Sequence, residues 1–239
     1  MKISAKDIDF RELNERVKSA KGDVCIDECY GQRFIASALG KERTVTVNGT
    51  PGNALGAYLD GAIITVNGNA QDATGDTMND GKIIIHGNAG DALGYAMRGG
   101  AIFVKGDSGY RTGIHMKEYK EKKPVIVIGG KVGSFLGEYL AGGLIVVLGI
   151  DADVAPVGNF TGTGMHGGKI FIRTDKELAT LPAQVVAEIA TKDDLQEAKP
   201  YICEFAENFG MNAEELMKDR FYVLKPNAKN PYTQLYAAY

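Results

Sequence analysis

Several features that would give the chain an obvious chemistry are scarce. Histidine and cysteine number three each in 239 residues. Cys25 and Cys29 are spaced C-x3-C, and Cys203 stands far from both. A disulfide framework calls for an even count in a secreted chain and a structural zinc site for four well-spaced ligands, so free, reduced, partly buried thiols are expected. Net charge is also small: 27 Lys plus Arg against 30 Asp plus Glu leave −3. That balance gives no basis for a nucleic-acid partner. No apolar run reaches the ~18 residues of a membrane span, so no membrane partner is expected. The N-terminal stretch MKISAKDIDFRELNERVKSAKG places charges where a signal peptide needs an apolar core, and a cytoplasmic location is expected.

Glycine is plentiful, with 31 residues, and it recurs in step. One column, Gly49, Gly68, Gly87, Gly106, Gly129 and Gly149, follows short apolar runs at spacings of 19, 19, 19, 23 and 20. A second, Gly56, Gly75, Gly94, Gly113, Gly137 and Gly162, runs beside it, and Leu59, Met78, Met97, Met116, Leu140 and Met165 keep an offset of three from the second. A period this short has no room for a strand plus a packed helix, but it suits one coil of strands joined by glycine turns. The fold expected is all-β: a single-stranded, right-handed parallel β-helix of about seven coils, roughly 30 Å long at ~4.8 Å per coil.

Stacked coils turn columns into ladders. Val45, Ile64, Ile83, Ile102, Val125, Ile145 and Ile170 are expected to point inward, with Val47, Val66, Ile85, Val104, Val127, Val147 and Ile172 two residues on. Between them Thr46, Thr65, Ile84, Phe103, Ile126, Val146 and Phe171 are expected to point outward. This outer column turns greasy from about the third coil, which predicts a covered or partnered surface.

The organisation expected is an N-terminal helical cap over 1–23, the β-helix over 24–174, and a C-terminal helical tail with an extended arm over 175–239. A helix is expected at Asp9–Ser19, an atypical entry coil at Val24–Gly40, and corner loops in GIHMKEYKEKKP and at Gly149–Phe160. Beyond Arg173, Ala183–Ala190 and Leu195–Phe209 read as helical, with Pro200 able to break or kink the second. Asn212 reads as the N-cap of a helix over Ala213–Asp219. Phe221–Leu224 reads as a strand or arm, and NPYTQLYAAY closes the chain.

The search for a reaction centre is negative. His86, His115 and His166 fall in different columns and share no face, so each is expected to be a solvated or hydrogen-bonded corner residue. No column repeats a carboxylate over three coils, as a polysaccharide lyase groove would require; Asp60, Asn79, Arg98, Lys117 and Ala141 are chemically mixed. A 19-residue period does not divide by the six-residue step of hexapeptide acyltransferases. The string Gly158–Gly164 lacks the following helix of a phosphate loop. No residue is therefore assigned a catalytic, cofactor-binding or metal-binding role.

The coils GSFLGEYLAGGLIVVLG and VGNFTGTGMHGGKIFI, the entry segment YGQRFIAS and the first coil NGTPGNALGAYLDGA resemble the C-terminal glycine-repeat (GXGXG) β-helix domain of the glutamate synthase large subunit, over about residues 24–225. Coils of the GNAGDALGYAMRGG type are shared with a related protein, the β-helix subunit of formylmethanofuran dehydrogenase. The first resemblance implies a non-catalytic scaffold in glutamate biosynthesis, docked to separately encoded glutaminase-like and synthase-like chains. FMN and an iron-sulfur cluster are then expected in the synthase-like partner and no cofactor in this chain. The chain is expected to depart from the large enzyme in standing alone, and its 239 residues hold no catalytic N-terminal cysteine and no cluster-binding cysteine set. The alternatives are the β-helix subunit of a formylmethanofuran dehydrogenase-like complex and an independent homo-oligomeric β-helix protein. On the scaffold reading, partner contacts are expected on the greasy outer column and the corner loops, above all His115–Lys123 with Lys117, Lys120 and Lys122.

Overall fold

The computed structural model describes residues 1–227, and in them the glycine period becomes a coil. The elements in order are β1 (Lys2–Ser4), α1 (Phe10–Ser19), β2 (Val24–Tyr30), β3 (Thr44–Thr50), β4 (Asp60–Asn67), β5 (Asp80–Ile85), β6 (Ala101–Val104), β7 (Val125–Ile128), β8 (Ala141–Val147) and β9 (Gly167–Arg173). They continue with β10 (Val185–Ile189), α2 (Lys192–Phe209), α3 (Ala213–Leu216) and β11 (Phe221–Pro226). Strands β1 to β9 lie side by side in chain order, each parallel to the next, and β11 and then β10 complete an 11-stranded sheet. This is the right-handed parallel β-helix of about seven turns, the hand a parallel crossover takes. The arm NPYTQLYAAY lies outside the described residues.

The inner ladders are continuous and dry. Val45, Ile64, Ile83, Ile102, Ile126, Ile145 and Ile170 pair in register, and all are 0% exposed. In β7 this register corrects the sequence reading by one residue. Ile102 pairs with Ile126 and Val104 with Ile128, so Ile126 points inward, while Val125 and Val127 join the outer column with Phe103 and Val146. The glycine equivalent to Gly106 is accordingly Gly130, whose N–H donates to the Gly106 carbonyl at 2.9 Å. The β6–β7 step is thus 24 positions, from Ile102 to Ile126, rather than the expected 23. In the run VIVI both parities are apolar, so alternation alone cannot set its phase.

Both ends of the stack are closed. At the start, β1 pairs with β2, and α1 buries Leu13 and Val17 against the first coil. Asp9 caps α1 by accepting from the Arg11 N–H at 2.9 Å. At the other end the expected helix over Ala183–Ala190 is instead the strand β10, antiparallel to β11, which is itself antiparallel to β9. The local pattern is overridden because Val185–Ile189 pairs along β11, whose outer edge would otherwise be open.

The greasy outer column is buried within the chain itself. Helix α2 packs Ala198, Ile202, Phe205 and Ala206 onto Phe103, Val127, Val146 and Phe171, with Leu216 of α3 and Phe221 of β11 in the same cluster. A capping box, Thr191 with Asp194, starts α2, and Pro200 lies inside it without ending it. Three lysines pin the helix to the sheet: Lys82 pairs with Glu204, and Lys123 and Lys169 both pair with Glu197. The short α3 begins where Asn212 accepts from the N–H groups of Glu214 and Glu215.

Candidate functional site

With the apolar part of the sheet covered, the surface left open is the arc that carries each coil back to the next strand. Every arc places alternate residues in the left-handed region: Ala92, Gly94 and Ala96 have φ of 54, 66 and 50°, and Arg111, Gly113 and His115 have 60, 71 and 56°. From the second arc onward the central residue is glycine because a Cβ there would press into the core, whereas the first arc holds Ala36 at the equivalent place with φ of 57°. A Cβ on Gly94 would lie 2.5 Å from Ile126 Cδ1, and one on Gly113 would lie 2.4 Å from Ile145 Cδ1. The flanking positions carry side chains despite a strain of ~1–2 kcal/mol each.

In the later coils those flanking side chains stack on one another. Phe135 and Phe160 are 5.0 Å apart at 21°, and the Arg111 guanidinium lies 4.9 Å over Phe135 while its Nε donates to Glu138 at 3.1 Å. Beside them His115 stacks on Tyr139 at 5.0 Å and 8°, with Tyr95 edge-on at 5.8 Å. Phe160 remains 56% exposed and Tyr95 40%, so the stacks face outward. Sequence reasoning misses the Arg111, Phe135 and Phe160 column. Its signal is present, at offsets of 24 and 25 residues.

The adjoining corner is held by side-chain ladders. Asn69, Asn88 and Asp107 each accept, through Oδ1, from a backbone N–H one coil on, at 2.8, 2.8 and 2.6 Å. Asp72 and Asp91 do the same at 2.9 and 2.8 Å. These carboxylates and amides are engaged in closing the turn.

The titratable candidates are dispersed. His86 meets Phe209 edge-on at 5.2 Å, and His166 Nδ1 sits 3.1 Å from the Gly164 carbonyl. No group of three or more His, Cys, Asp or Glu that could hold a metal occurs among the described residues. The three cysteines are free, and burial pushes the Cys29 thiol up to about 11, which disfavours the thiolate a nucleophile needs. Two groups on the helical cover are shifted by their partners. Burial would raise Glu197, but hydrogen bonds from Lys123 and Lys169 outweigh it and hold the carboxyl below its usual range. The Thr191 hydroxyl and N–H, with Lys225, hold Asp194 well below it.

The charged loop folds back on the coils. Tyr119 and Lys122 exchange backbone hydrogen bonds at 3.1 and 3.0 Å, and Lys122 Nζ reaches Asp60 at 3.4 Å and Asp80 at 3.5 Å. Glu118 accepts from the Gly143 N–H at 3.0 Å. Of the lysines expected at a partner surface, Lys122 is therefore used internally, whereas Lys117 and Lys120 stay exposed. Between this loop and the arc lies a cavity of about 360 Å³, lined by Ala96, Arg98, His115, Lys117, Glu118 and Tyr119. A second, of about 300 Å³, lies between α1 and the first coil around Phe10, Asn14, Phe34 and Leu39.

Comparison with known proteins places this geometry among relatives. The sequence profile described as the GXGXG motif matches residues 14–228. A protein of Methanocaldococcus jannaschii, itself described as uncharacterised, is 44% identical over 248 aligned positions, covering 98% of this chain and 95% of its own length. Among solved structures, a chain of the formyltransferase/hydrolase complex from Methylorubrum extorquens, determined with methylofuran, superposes with a TM-score of 0.67 at 22% identity, covering 92% of this chain and 89% of that one. No helix among the described residues is long and apolar enough to cross a membrane.

Proposed function

The chain belongs to the GXGXG motif family, and from that premise we propose that it is a non-catalytic β-helix subunit of a multi-subunit enzyme assembly. One observation carries the reading: helix α2 covers the chain's own apolar sheet face, while the arc keeps outward-facing ring stacks on positions that carry backbone strain. Large rings at outward-facing, strained positions that several earlier arcs fill with alanine point to a role in contact rather than in stability. Aromatic and arginine side chains are also the usual anchors of protein interfaces.

Two assemblies suit such a subunit. The glutamate synthase-like coils favour docking to separately encoded glutaminase-like and synthase-like chains, in the cytoplasm, with FMN and the iron-sulfur cluster on the synthase-like partner. The cysteines here do not suit a cluster, since Cys25, Cys29 and Cys203 enter no ligand group among the described residues. The likeness to a formyltransferase/hydrolase chain over nearly the full length of both proteins favours the second, a formyl-transfer complex.

Co-expression with each set of partner chains, followed by size-exclusion chromatography with light scattering, separates the two. The expected outcome is a stable complex with one set, weakened at least tenfold by the double substitution Phe135→Ala and Phe160→Ala, and a colourless, inactive chain when purified alone. A yellow, flavin-bearing protein, or assembly indifferent to both substitutions, would refute the reading.

A further inference from the structure

The cavity of about 360 Å³ beside the charged loop has an unbalanced wall. Arg98 and Lys117 occupy the same position in successive coils: the Arg98 N–H donates to the Met78 carbonyl at 2.8 Å, and the Lys117 N–H to the Met97 carbonyl at 3.0 Å. Two cations are thus set one strand spacing apart, an arrangement that is unfavourable without a counter-charge. At the acidic end of the same region the chain supplies that counter-charge, because Lys122 is shared between Asp60 and Asp80. At the basic end it supplies none. Neither the Arg98 nor the Lys117 side chain has an ion-pair or hydrogen-bond partner among the described residues. The carboxylate that lines the cavity, Glu118, accepts from the Gly143 N–H at 3.0 Å. His115 lines the same space, held in orientation by its stack on Tyr139.

We propose that this cavity is a binding site for an oxyanion of the phosphate class, carried by a small phosphorylated molecule. A guanidinium offers two parallel N–H donors to two oxygens, an ammonium a point charge, and the imidazole an N–H donor. The volume is at the small end of the range for ligand sites and admits one phosphate group with a few attached atoms. The three side chains come from two adjacent coils of one stack, so their backbone anchors hold fixed positions relative to one another.

The test uses the full-length protein with inorganic phosphate as probe, at constant ionic strength set with sodium chloride. Isothermal titration and thermal melting should show saturable binding in the millimolar range and a raised midpoint. Arg98→Gln and Lys117→Gln should each weaken binding at least fivefold without lowering the melting midpoint in chloride alone. Lys21→Gln, which removes the same charge just beyond the far end of α1, should leave it unchanged. Equal responses to phosphate and chloride, or phosphate binding retained in both Arg98→Gln and Lys117→Gln, would overturn the proposal.

Discussion

Replacing Gly94 with alanine tests the physical account of the repeat more directly than any other single change. Gly94 has φ of +66°, so an L side chain there costs ~1–2 kcal/mol in backbone strain alone. The new Cβ would also stand 2.5 Å from Ile126 Cδ1, inside a ladder that is 0% exposed. Overpacking of that kind costs a further ~1–3 kcal/mol. The sum is ~2–5 kcal/mol, enough to lower a urea midpoint by on the order of 1 M or more at ordinary m-values. Two residues away, Ala92 has a similar φ of 54°, but its side chain is not in the core ladders. Ala92→Gly relieves ~1–2 kcal/mol of strain and costs ~0.5–1 kcal/mol of chain entropy, so it should leave the midpoint nearly unchanged or slightly raised. The clash term can be isolated with Ile126→Val, which removes Cδ1. That change alone costs ~0.5–1.5 kcal/mol, yet combined with Gly94→Ala it should total less than the two added together. Equal urea midpoints for Gly94→Ala and Ala92→Gly, or strict additivity in the double variant, would refute the reasoning.

Phe205→Ala removes a fully buried ring from the cover over the outer sheet face and should cost ~3–5 kcal/mol, read by urea denaturation, with raised binding of a hydrophobic dye. The Glu197 carboxyl is held low by Lys123 and Lys169, so its contribution is fully present above the ordinary glutamate pKa and lost as pH falls through its lowered folded value. Wild-type protein should therefore lose stability below about pH 4.3 more steeply than Glu197→Gln, and parallel acid-melting curves would count against the ion-pair clamp. At pH 8 the Cys29 thiol, with its pKa at about 11, should resist maleimide or disulfide labelling in the folded protein and react on unfolding; mass spectrometry of the labelled peptide checks this.

The period is legible because glycine and aliphatic residues return at fixed height. A side chain at Gly94 would strain the backbone and press on Ile126, so glycine is favoured there, and the inner ladder is filled by aliphatic side chains. Two readings fail for want of local information. Val125–Ile128 is apolar at every position, so nothing within β7 sets its phase. The 24-residue step from Gly113 to Gly137 does, but it has to be weighed against a Gly129–Gly130 doublet. Ala183–Ala190 is alanine-rich and suits a helix by propensity, yet its partner, β11, lies more than thirty residues downstream. The apolar outer column is visible, but what covers it is not, because α2 meets β6 to β9 through long-range packing. The ring stacks along the arc are hidden for the same reason as the β7 phase: loop insertions shift their spacing from 19 to 24 and 25.

Helix α2 changes how a stack of this kind comes apart. In a simple solenoid each winding touches only its neighbours, so the last can peel away at small cost and the rest can follow one by one. Here a rod of 18 residues, ~27 Å at 1.5 Å per residue, lies across the windings like a splint and is tied to β5 through Lys82 and to β9 through Lys169. Fraying from that end must first lift the splint, so the second half of the prism should open in one step, and a partner gripping the arc would hold a surface that does not loosen coil by coil.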